Sequence, residues 1–198
     1  MTRDERRGGP GAFRQEGRTA TPRQDGDGAG EDEPLGVHVG MREAAREVWK
    51  GTQGLDGAEH LVAVDYRTGK KLGKTVKGTS EGVSTRKLLE EARAKGTPIA
   101  MVPSHPSGAG VPSPDDVPVT LENADILKAT GVVEWDRSFH VVRAGEMWWK
   151  MTEMQRMILR IQLDKAQTEM PYGKWLVAMK DLENQGIIEH EKARPIGI

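Results

Sequence analysis

Apolar positions in this 198-residue chain recur with two different periods, and the switches between them mark out its elements. Ala44, Ala45, Val48 and Trp49 recur at helical spacing, so a short helix is expected over 41–50, stopped by Gly51 and Gly54. Residues 60–66 (His-Leu-Val-Ala-Val-Asp-Tyr) read as a strand. Arg67-Thr68-Gly69-Lys70 then reads as a turn, and 71–76 as its hairpin partner. Ser84 is expected to cap a helix that runs to about Lys95, turns Leu88, Leu89 and Ala92 inward and ends at Gly96. A short apolar run over 98–102 follows and reads as a buried strand. A second helix is expected over 121–130, with Leu121, Ala124, Ile126 and Leu127 on its apolar side. Strands over 132–135 and 139–142 close the unit around Asp136-Arg137-Ser138.

Beyond Gly145 the spacing is helical throughout. Met147, Trp148, Met151, Met154, Ile158 and Ile161 form one stripe, which Pro171 ends. Trp175, Met179 and Leu182 form another over 174–185, stopped by Gly186. These two helices are expected to make an αα-hairpin appended to the preceding unit. Such stripes bury themselves against their own chain in most proteins, and Met- and Trp-rich faces also grip partners. The order strand, hairpin, helix, strand, loop, helix and two strands predicts an α/β domain with a mixed sheet and flanking helices.

Composition narrows the setting. Lys and Arg number 29 against 30 Asp and Glu, so no overall field favours nucleic acid or an anionic membrane. There is no basic stripe and no aromatic–basic interleaving, and nucleic-acid binding is not expected. No cysteine is present, which removes disulfides, thiolate ligands and a cysteine nucleophile and fits a reducing cytosol. No apolar run approaches the ~20 residues of a membrane span, and no apolar stretch follows Arg3, Arg6 and Arg7 as in a secretory signal. A cytoplasmic location is expected. Residues 1–38 hold seven glycines before Pro34, charges of both signs and Phe13 as their one aromatic. That composition predicts a disordered arm. The division expected is therefore an arm over 1–38, an α/β domain over 39–145 and a helical hairpin over 146–198.

The densest chemistry lies between Met101 and Val117. The apolar run reaches His105, and a loop rich in Pro and Gly then delivers Ser113 and Asp116 at fixed offsets. A strand that hands a histidine to a loop, and a loop that returns an acid beside it, is a common way to build a metal site. Singly, each residue has a plainer role. The histidine could close a turn, and Ser113 could be a helix N-cap with Asp115 and Asp116 at the positive end. A glutamate before a strand, as Glu59 is, often just solvates an edge.

Taken together, His105, Pro106, Ser107, Gly108, Pro112, Ser113 and Asp116 resemble the motif of the JAMM/MPN (JAB) metalloproteases. Their motif is His-x-His, seven residues, Ser, two residues, Asp, and the bacterial RadC-like and phage-associated JAB forms come nearest. The similarity spans about 58–144. The departure is Pro103, which stands where the first histidine of the pair belongs. The resemblance implies a cytidine-deaminase-like α/β fold and a zinc-dependent peptide or isopeptide hydrolase scaffold. It implies His105 and Asp116 as zinc ligands, Glu59 as general base and Ser113 as oxyanion donor. With two protein ligands where catalytic zinc usually has three, a degenerate site is expected. Ser104 and His60 are not expected to fill the gap, because neighbours along a strand face opposite sides, and nothing in the spacing of His140 brings it near. A non-catalytic module that binds a protein or peptide partner is the competing expectation, in a phage or mobile-element system, with self-association through the C-terminal hairpin as a further one. A DNA-repair association comes only from the RadC-like forms, by analogy.

Overall fold

The computed structural model describes residues 35–53, 57–80, 82–105, 111–134, 136–193 and 195–197. The N-terminal arm expected over 1–38 lies outside them up to residue 34, as do Pro106, Ser107 and Gly108 of the motif loop. In chain order the elements are α1 (Leu35–Thr52), β1 (His60–Asp65), β2 (Lys71–Lys77), α2 (Arg86–Lys95), β3 (Ile99–His105), α3 (Asp116–Glu122), β4 (Leu127–Glu134), β5 (Phe139–Ala144), α4 (Glu146–Lys150), α5 (Glu153–Glu169), α6 (Tyr172–Asn184) and β6 (Ile188–Ala193).

The strands form one six-stranded sheet in the order β2-β1-β3-β4-β5-β6. Only β3 and β4 run parallel; the other four pairings are antiparallel. The expected α/β class and mixed sheet are therefore present. One face is covered by α1, whose Met41, Ala44, Ala45 and Val48 pack on Val62, Val64, Ala100, Val102, Val133 and Phe139. The helix comes close at Gly40, where an added Cβ would stand 1.9 Å from the Gly69 carbonyl oxygen, so only glycine fits. The other face carries two cores. Under α2, Leu89 and Ala92 meet Leu61, Ile99, Met101 and Leu127. Under α3 to α6, Leu121, Leu159, Leu163, Trp175 and Met179 meet Val142 and Ile188.

Several expectations need correction. The helix expected over 121–130 lies earlier, at Asp116–Glu122, and Leu127 to Thr130 belong to β4. Helical spacing in 121–127 was outweighed by pairing: Ala129 and Thr130 sit beside Ala100 and Met101 in the parallel ladder, a long-range contact that no local window contains. Ser84 does not cap α2. Thr85 holds that position, without a side-chain capping bond, while Gly96 ends the helix at φ 60° as expected. The strand expected over 98–102 continues through Pro103 to His105. Proline offers no N–H to either ladder and is rare in a central strand, yet Pro103 pairs with Leu61 of β1.

The C-terminal segment is no separate appendage. The helical run breaks at Met151, and Thr152 restarts it as α5 with a capping box to Gln155. The face of α5 that packs is Leu159, Leu163 and Ala166, whereas Met154, Ile158 and Ile161 point to solvent. The chain then returns as β6, which pairs with β5 from Phe139 to Ala144 and completes the sheet. Among the described residues no helix is long and apolar enough to cross a membrane.

Candidate functional site

The C-terminal ends of the two parallel strands define the site, where α/β sheets commonly hold ligands. His105 is the last residue of β3 and Glu134 the last of β4, and the ladder pairs them directly. Strand alternation turns both toward the face that carries α2 and α3. Ser104, between Pro103 and His105, points the other way. Its hydroxyl oxygen lies 2.5 Å from Thr52 Oγ1 and accepts the His60 N–H at 3.0 Å. The His60 ring stands against Gly51 of α1, on that same far face. Neither reaches the site, as period-two alternation requires.

Asp116 arrives from the opposite direction, at the start of α3. The turn before it is a reciprocal cap: Ser113 Oγ accepts the N–H of Asp115 at 3.2 Å and of Asp116 at 3.3 Å. The Asp116 carboxylate in turn accepts the Ser113 N–H and hydroxyl, both at 2.7 Å. The same oxygen, Oδ2, lies 3.2 Å from His105 Nε2. On the far side of the ring, His105 Nδ1 lies 3.4 Å from Glu134 Oε1. The imidazole is thus held between two carboxylates. Ser113 therefore ties the turn before α3, whose N-cap position is held by Asp115, while Asp116 stands beside His105.

The two carboxylates set the charge of the site. Burial alone would pull the His105 pKa down, but Asp116 and then Glu134 outweigh it and push it up to about 11, so the ring is an imidazolium at neutral pH. Burial would raise the Asp116 carboxyl, yet the His105 cation and the Ser113 hydrogen bonds hold it below the usual carboxylate range. Glu59 behaves differently. Burial, against the pull of His105 and with the charges of Asp116, Asp115 and Glu134 adding, pushes its pKa up to about 7.

Glu59, Pro103, His105, Ser113 and Asp116 all line one cavity of about 160 Å³, with Leu61, Met101 and Val119 as apolar wall. The five residues singled out from the sequence therefore come together. What the sequence did not disclose is Glu134. It ends an apolar strand with no motif around it, and only the β3–β4 register places it against His105. Trp175 of α6 also supports the site, donating its Nε1–H to the Pro112 carbonyl at 2.8 Å, just before Ser113. His140 does not line that cavity and sets Nδ1 3.0 Å from His190 Nε2, although it lies near enough for the charge of Glu134 to act on it.

Whether these residues suit zinc can be judged from their spacing. Two ligands on a tetrahedral zinc stand about 3.3 Å apart, close to the separation of His105 Nε2 and Asp116 Oδ2. Those two atoms fit neighbouring corners. Pro103 lines the same cavity and brings no donor, and among the described residues no group of three or more His, Cys, Asp or Glu side chains is arranged to hold a metal. No family model and no curated protein matches this chain.

Proposed function

We propose that this chain is a JAMM/MPN-type metallopeptidase-like domain whose zinc site is one ligand short. The observation that carries the reading is the convergence of His105 Nε2 and Asp116 Oδ2, eleven positions apart in sequence, to 3.2 Å at a cavity that Glu59 and Ser113 also line. His105, once its Nε2 proton is released, and Asp116 would hold the metal, which when bound supplies an acidified water for attack on a peptide or isopeptide carbonyl. Glu59, with a pKa near 7, is suited to take a proton and return it to a leaving amine. The Ser113 hydroxyl is engaged by Asp116, and it would have to turn from that carboxylate to serve an oxyanion. With two protein ligands the site binds zinc weakly, and hydrolysis is slow or absent.

The test is to supply the missing donor. Pro103→His should raise zinc affinity by more than ~10-fold over the parent chain, since even outer-shell losses cost ~10–100-fold. A folded Pro103→His protein that binds zinc no more tightly than the parent would overturn the reading.

One observation favours a second reading, a non-catalytic module that binds a protein partner. Met154, Met157, Ile158 and Ile161 form an exposed apolar row along α5, and Leu176 and Val177 are exposed on α6. Retained partner binding in His105→Ala would support it, and loss of binding in that variant would count against it.

A further inference from the structure

Glu134 is the most deeply enclosed acid among the described residues, with a side chain 0% exposed. Among the described residues neither of its oxygens has a hydrogen-bond partner, and the ion-pair contact it makes is Oε1 to His105 Nδ1 at 3.4 Å. A carboxylate taken out of water with so little compensation is costly and is retained where it does something to a neighbour. That neighbour is fixed by the sheet. His105 and Glu134 are paired residues on adjacent parallel strands, so their separation is set by backbone hydrogen bonds at the centre of the fold. Asp116 holds the other ring nitrogen from a helix start that the motif loop delivers.

We propose that Glu134 is the positioning residue of this site: by holding Nδ1 of His105 from the strand side, it keeps Nε2 turned toward Asp116 and the cavity. A carboxylate on the outer nitrogen of a ligating histidine fixes ring orientation and raises ligand basicity. The orientation of the ring stands on the geometry alone. What the aimed nitrogen would hold rests on the zinc reading above. Without Glu134 the ring keeps Asp116 but loses its second anchor.

The experiment follows the ring protons of His105 by nuclear magnetic resonance in the ¹⁵N-labelled full chain, stripped of metal and at neutral pH. The parent should show a low-field ring N–H signal on Nδ1, the nitrogen that faces Glu134. Glu134→Ala should lose the Nδ1–H signal to exchange, and Glu134→Gln, whose amide oxygen can still face Nδ1, should restore it in part. If Ala does not fold, the near-isosteric Gln variant decides the matter through a shifted Nδ1–H signal. An unchanged Nδ1–H signal in either folded variant overturns the proposal. A zinc titration of the same samples separates the two readings. A ~10–100-fold loss of affinity in Glu134→Ala is expected if zinc binds. A parent chain that takes up no zinc counts against the metal site, while the ring-proton result still decides the role of Glu134.

Discussion

His140 on β5 and His190 on β6 stand diagonally across one antiparallel ladder, with Nδ1 of the first 3.0 Å from Nε2 of the second and the rings nearly parallel at 5.3 Å. Such a pair accommodates one shared proton and not two charges. Burial, then the neighbouring His190, brings the His140 pKa down to about 4, while Glu134 and Asp136 pull the other way. Burial lowers His190 as well, with Lys180 acting in the same sense and Glu183 opposing.

A pH dependence of stability follows. Between about 4 and 6.5 the unfolded chain binds protons that the native His140 does not, so stability rises with pH across this window and is fully present above it. In the Glu59→Gln background, which removes a titration of opposite sign over the same window, stabilities from urea unfolding at pH 5 and pH 7 should differ by about 1–2 kcal/mol. His190→Phe should reduce that slope. An equal slope in the variant would show that the pair is not its source.

Glu59 carries the opposite sign. Its native pKa is raised to about 7, so between about 4.5 and 7 the folded chain holds a proton that the unfolded chain has released. Its contribution to stability therefore falls as pH rises through that range. Glu59→Gln should be more stable than the parent at pH 8 by about 1–2 kcal/mol, discounted for partial exposure, and equal to it below pH 4.5. Thermal unfolding at the two pH values checks this. A variant less stable at pH 8 would mean that the carboxylate is favourably held.

Asp116 should be among the most sensitive polar positions. Asp116→Ala removes the acceptor of the Ser113 N–H and hydroxyl and leaves His105 with Glu134 alone. Breaking a buried pair in this way costs about 3–5 kcal/mol. Asp116→Asn keeps an oxygen for Ser113 and should cost less. Denaturant unfolding at pH 7 provides the comparison, and a loss under ~1 kcal/mol for the alanine variant would show the pair to be weak.

The two sides of α5 should respond unlike one another. Ile158 is 49% exposed, whereas Leu163 is 6% exposed and packs in the core beneath α3 to α6. Ile158→Lys should change stability by no more than about 0.5 kcal/mol, and Leu163→Ala should cost about 2–5 kcal/mol. The same urea series measures both. A large loss from Ile158→Lys would place that row against something in the folded molecule.

Much of this architecture could be read locally, because local rules made it. β1 is a short apolar run bounded by polar residues, and the turn after it is tied by Asp65 Oδ1 to the N–H groups of Arg67 and Thr68. Trp175, Met179 and Leu182 share one buried face of α6, as their spacing requires. Misreadings fell where long-range pairing or a choice between stripes decided the outcome. Residues 127–130 have helical spacing but become strand beside β3. On α5 two apolar stripes compete, and the richer one in Met and Ile is the one left in solvent. β6 reads Ile-Glu-His-Glu-Lys-Ala, too polar to announce a strand, and is held by β5. The site followed the same division. Glu59, His105, Ser113 and Asp116 were legible as a spaced set, whereas Glu134 became visible only through register.

The bond from the Trp175 indole to the Pro112 carbonyl gives the last quarter of the chain a duty at the front of the molecule. The loop bearing Ser113 is stapled from behind by α6, which itself is followed directly by the strand that closes the sheet. Shortening the chain before α6 would remove a buttress as well as a helix, so any trimmed version chosen for crystallisation or binding work has to keep Trp175 to present the cavity in its native shape.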